Sequence, residues 1–93
     1  MDAYRFDDDS YRSLGAAGVP WATAVWLLRQ AHPVLQRSAG RVLQLAGTTE
    51  DDRVLMLVLI EEDDDEYLVV TGRWADAGEA ALIRGILAGG RGQ

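Results

Sequence analysis

The longest unbroken apolar stretch, Val54 to Ile60, organises the reading of this chain. Leu55, Leu57 and Leu59 alternate with Val54, Met56, Val58 and Ile60, so an extended backbone places apolar side chains on both faces. A strand of that kind must be covered on both sides. Val42–Ala46 precedes it and Tyr67–Thr71, rich in β-branched residues, follows it. The connecting segments, Gly47–Asp52 and Glu61–Glu66, are short, which makes neighbouring strands antiparallel and puts Val54–Ile60 in the middle. Tyr4-Arg5-Phe6 reads as a short first strand or arm.

The period changes on either side of these strands. Asp7-Asp8-Asp9-Ser10 supplies caps and negative charge for a helix start, and a short helix from about Ser10 to Ala17 should stop at Gly18. Pro20 suits the first turn of a second helix, Trp21 to Ala31. Trp21, Ala24, Val25, Leu27, Leu28 and Ala31 form its apolar stripe, with Trp26 set outside it. Pro33 ends this helix. Asp76 and Glu79 have capping-box spacing for a final helix running to about Leu87, with Ala80, Ile83, Ile86 and Leu87 inward. His32, at a helix C-terminus, fits a dipole-stabilised cap better than an acid/base group, since no carboxylate can be placed beside it. Gly89–Gln93 reads as a frayed tail.

Three short helices barely cover both faces of such a strand. Burying one side chain of this kind is worth roughly 1.5–3 kcal/mol, so a bare apolar face calls for a partner, either a second copy or a foreign protein. Met56 lies in the strand that needs this cover. Trp26 is a second interface candidate, since tryptophan is a frequent anchor; the alternative is that the first helix packs over it through Tyr11 or Leu14.

Composition narrows the function. The chain has 93 residues, no cysteine and one histidine, which excludes disulfides, thiolate metal sites and multi-histidine zinc sites. No metal and no cofactor are expected. Fifteen acids against nine bases give a net charge of −6. The run Glu61–Glu66 carries that whole excess, and every base is arginine. A negative chain repels phosphate backbones at long range, so direct DNA binding is not expected, although a local arginine cluster can still grip one phosphate. The acidic run lacks the alternating ligands and glycine turn of a calcium loop, and reads as a solvated turn or a dock for a basic partner. No apolar run is long enough to span a membrane and no leader is evident, so the expected location is cytoplasmic.

Several short motifs fall in a recognisable order: Phe6-Asp7, then Leu14-Gly15-Ala16-Ala17-Gly18-Val19-Pro20-Trp21, then Gly47-Thr48 before Arg53-Val54-Leu55, then Val69-Val70-Thr71-Gly72-Arg73 ahead of a helix carrying Glu79. In arrangement this resembles the BrnT family of ribonuclease toxins in the RelE superfamily. The resemblance implies the toxin component of a type II toxin–antitoxin pair, which cleaves RNA and is neutralised by a DNA-binding antitoxin. It keeps the family's aromatic after Gly-Val as Trp21 and its strand-end arginine as Arg73. It departs at Ala16 and Ala17, where the family places a Lys-His pair. A relative depleted in acid/base and phosphate-binding groups is therefore implied.

Arg53 opens the middle strand and Arg73 closes the next, so both fall at one end of the sheet. Thr48, Thr49 and Trp74 should lie near. Two guanidinium groups beside a threonine can hold a phosphodiester and stabilise charge in its cleavage by the RNA 2′-hydroxyl, with Trp74 stacking on a base. Arg53 and Arg73 are then the catalytic candidates, and Thr48 and Trp74 the substrate-binding ones. The plainer reading pairs both arginines with Glu50, Asp51 and Asp52 in exposed ion pairs. Arg41, at the opposite end, should face the acidic turn.

The sequence thus predicts one α+β domain over residues 1–88. It has a three- to four-stranded antiparallel sheet, two N-terminal helices and one C-terminal helix, followed by a flexible tail at 89–93. Its expected function is a BrnT-like toxin component, RNA-cleaving or degenerate, with an antitoxin partner. The alternative is a non-enzymatic protein-interaction module or homo-oligomeric domain on the same fold.

Overall fold

A computed structural model, describing residues 3–31 and 33–89, traces the chain through eight elements. They are β1 (Ala3–Arg5), α1 (Asp8–Ala16), α2 (Trp21–Gln30), β2 (Val34–Ala39), β3 (Val42–Thr48), β4 (Val54–Asp63), β5 (Glu66–Trp74) and α3 (Ala77–Gly89). The class is α+β, and the five strands form one sheet in the order β1-β5-β4-β3-β2. The apolar stretch is central, as its two-faced pattern requires.

Two details differ from the expected three- to four-stranded antiparallel sheet. First, Val34–Ala39 is a strand. It pairs antiparallel with β3 across the two-residue turn Gly40-Arg41, where Gly40 takes a φ of 62°. Its residues from Gln36 on are exposed, as an edge strand permits, so no alternation marks it in sequence. The punctuating Gly40 between two extended stretches was the available signal. Second, the sheet is mixed, because β1 pairs parallel with β5. The two helices between β1 and β2 carry the chain off the sheet, so β1 is free to take the outer edge in that direction. Arg5 fastens it there by gripping both carboxylate oxygens of Glu62, at 3.1 and 2.8 Å.

α1 and α2 cover one face of the sheet. Asp7 caps α1: its carboxylate accepts from the Ser10 amide at 2.8 Å, and the Ser10 hydroxyl accepts from the Asp7 amide at 3.0 Å. The same buried hydroxyl donates to the Val69 carbonyl, pinning α1 to β5. Leu14 and Leu27 then meet Leu43, Leu45, Leu55, Leu57, Leu59 and Val69 in the main core. Gly72 is what lets α1 come this close. A Cβ there would stand 2.5 Å from Leu57 Cδ2 and 3.0 Å from Leu14 Cδ2. A bulge interrupts the β4–β5 ladder at the Val58/Leu59 register step.

α3 covers part of the other face. The expected capping box forms, with the Glu79 amide donating to Asp76 at 2.8 Å and the Asp76 amide donating to Glu79 at 3.0 Å. Ile83 is the buried centre of its contact, against Ala46 and Val54, with Leu35, Met56, Ala80 and Leu87 around it. Ile86, expected inward, is 45% exposed. His32, read as a helix cap, and tail residues 90–93 lie outside the described residues.

Candidate functional site

The sequence brings Arg53 and Arg73 to one end of the sheet, and the structure divides them between its faces. Arg53 precedes Val54, whose side chain belongs to the α3 side, so its own turns the other way. Its guanidinium carbon lies 3.7 Å from the centre of the Trp74 ring. Trp74 packs against the main core and donates its indole N–H to the Gly18 carbonyl at 2.9 Å. Arg53, Trp74 and the junction after Ala16 and Ala17 therefore share one corner. Stacking of this kind contributes about 0.5–1 kcal/mol at an exposed site.

Arg73 pairs in register with Met56, on the α3 side. It donates to both oxygens of Glu79, at 2.7 and 2.6 Å. The Glu79 carboxyl is held down to about 2, first by that hydrogen bond and then by the Asp76 amide. The expected ion pairs with Glu50, Asp51 and Asp52 do not form at either arginine; Arg84 takes Asp52 instead, donating to its carbonyl at 2.6 Å.

Thr48 is half-buried at the end of β3, opposite Val54. Thr49 is buried and closes the next turn. Its hydroxyl donates to Asp51, whose carboxyl is lowered by that bond, and its backbone amide donates to the Arg53 carbonyl at 2.7 Å. Thr49 thus serves the turn that presents Arg53. Among the described residues, no group of His, Cys, Asp and Glu is placed to hold a metal ion.

Trp26 and Met56 stand on different surfaces. Trp26 is half-buried and borders a recess of about 510 Å³ between α2 and the β3–β4 loop, lined also by Ala22, Thr23, Glu50 and Asp51. The ring that meets Tyr11 is Trp21, which the stripe placed inward; it is half exposed and stacks edge-on to Phe6.

Met56 lies in the second feature. A groove of about 400 Å³ runs across the α3 side of the sheet. Met56, Val58 and Gln44 line its floor, Leu82 and Ile86 form one wall, and Arg37 and Arg73 stand at its ends. Beyond it the sheet continues bare through Ile60 and its neighbours Val42 and Leu68. Among the described residues, the exposed large apolar side chains are Tyr11, Trp21, Val42, Ile60, Leu82 and Ile86, so all but the first two belong to this side. The exposed length of α3 adds to it. Only Glu79 and Arg84 are charged among its thirteen residues, and both are engaged, with Arg73 and Asp52. The sequence pattern pointed to a bare face around Met56 but missed the second half of the surface, the outside of α3. The signal was there, in a helix with almost no polar residues on any side.

No known family's sequence profile matches the chain, and no curated protein matches it. Among the described residues, no helix is long and apolar enough to cross a membrane.

Proposed function

We propose that this protein is a non-enzymatic protein-interaction module, and that the α3 side of its sheet is the binding surface. One observation carries the reading: α3 carries only two charged residues, both engaged within the chain, yet the fold covers only one of its sides. A surface helix ordinarily turns charge to solvent, and one that is apolar on every side is buried. Leu82, 66% exposed, lies beside a floor of Met56 and Val58. That places a ridge and a groove together, which is the anatomy of a protein contact.

A second reading keeps the resemblance to BrnT-like toxins, with RNA as substrate and an antitoxin as partner. It is favoured by Arg53, whose guanidinium rests on Trp74 and is in no ion pair among the described residues. Against it, Arg73 is neutralised by Glu79, and Ala16 and Ala17 offer no proton-transfer group at the same corner.

Inducing the chain in a bacterial host, with growth and total RNA followed together, separates the two. The module leaves both unchanged. Loss of RNA that disappears in Arg53→Ala overturns the proposal in favour of the toxin.

A further inference from the structure

We infer that the occupant of the bare half-sheet is α3 of a second copy of this chain, in a two-fold dimer. This rests on the protein-binding reading above and names the partner. Size comes first. α3 lies over the sheet at Ala46 and Val54, and a less covered strip continues along β4 from half-buried Met56 and Val58 to exposed Ile60. Four residues of strand rise about 13 Å. Packed helices lie about 8–10 Å apart. The strip therefore admits one more helix beside α3.

That helix must be apolar both underneath and on its flank toward α3. α3 itself meets the requirement. Leu82 and Ile86 stand on its groove flank, and its outward positions Ala81 and Gly85 are small and uncharged. Ridge and groove lie on one surface of one chain. A pairing in which each copy gives its helix and receives the other's is then closed by two copies.

Charge fixes the direction. At the β4–β5 corner of the strip stand Asp63, Asp64 and Asp65, with no ion-pair partner among the described residues. At the β2–β3 corner stand Arg37 and Arg41, likewise without one. The N-terminal end of α3 is already capped by Asp76 and Glu79, so the pull on a helix laid across the strip comes from its negative C-terminal end, favoured over the arginines. Within its own chain, α3 starts beside β5, where Glu79 holds Arg73, and ends toward β2, where Leu35 and Leu87 join the same cluster. A two-fold axis running across the strands, between the two helices, preserves that direction. The second α3 arrives with its C-terminus at the arginine corner.

Sedimentation equilibrium of the full chain tests this. The expected mass is twice the 10.2 kDa of one chain. Leu82→Glu, at an exposed position, should keep the circular dichroism spectrum and raise the dimer dissociation constant at least roughly 30-fold, as loss of an interface anchor does. Arg37→Glu should weaken the dimer at low salt more than at high salt. A single-chain mass for the wild type at about 100 µM overturns the dimer, as does a dimer indifferent to both substitutions. The two failures stay distinct: a monomer that spares RNA defeats only the choice of partner, whereas RNA cleavage lost in Arg53→Ala defeats the protein-binding reading at any mass.

Discussion

Arg73 holds Glu79 through two hydrogen bonds, and the same carboxylate accepts the Asp76 amide that begins α3. The end of β5 and the start of α3 are thereby one unit, and the Arg73 end of the groove is closed by its own chain.

This unit makes stability depend on acid. The folded Glu79 carboxyl titrates at about 2, below its ordinary value of 4.5, so the folded state prefers the ionised form. Its contribution is fully present above the ordinary value and is lost as pH falls through the folded one. Denaturant unfolding of Glu79→Gln beside the wild type should show a deficit at pH 7 that shrinks steadily between about pH 5 and pH 2. A deficit that stays constant over that range would show the carboxylate charge to be immaterial.

Gly72 is expected to tolerate no side chain. Its missing Cβ leaves the space in which Leu14 and Leu57 meet. Gly72→Ala should destabilise the fold by about 1–3 kcal/mol through overpacking. Urea unfolding with an unchanged slope would measure it, and an unaltered midpoint would mean that α1 shifts away without cost.

Ser10 joins cap and sheet. In Ser10→Ala the Val69 carbonyl loses a buried partner and the Asp7 amide a half-buried one. The expected loss is about 1–3 kcal/mol, well above that of an ordinary exposed serine. Amide exchange at the start of α1 should accelerate in the same variant; an unaffected helix start would deny Ser10 this role.

Leu57 and Leu82 make a contrast that reports on the second face. Leu57 is fully buried in β4, and Leu57→Ala should cost about 2–5 kcal/mol. Leu82→Ala should barely change the stability of a dilute, single-chain sample, because the residue is mostly in solvent there. Its effect should grow with protein concentration. Thermal unfolding across a dilution series checks this, and a concentration-independent loss would mean that Leu82 serves the fold and no interface.

Much of the fold was legible because apolar patterning reports burial directly. Val54–Ile60 could only be a central strand, and Asp76 with Glu79 could only begin a helix. The edge strand Val34–Ala39 was hidden because one side of it faces solvent and its partner supplies the order. The parallel placement of β1 rests on contacts between residues far apart in sequence, its pairing with β5 and Arg5 with Glu62 among them. At the arginine rim the chain order gave the shared end of the sheet. It could not give the face, since that turns on single-residue alternation at Arg53 and Arg73. It also could not give the partners, since Glu79 reaches Arg73 only once α3 is docked. The exposed tryptophan was misplaced for a related reason: Phe6 and Tyr11 draw Trp21 outward, while Trp26 settles beside the β3–β4 loop.

The most direct test of the surface uses the absence of cysteine from the chain. A single thiol placed by Leu82→Cys on the groove flank of α3, treated with a short bis-maleimide, should link two chains efficiently. Arg12→Cys, on α1 across the sheet, should remain single under the same treatment. Equal linking at the two positions, or none at Leu82→Cys in a folded protein, would contradict the account.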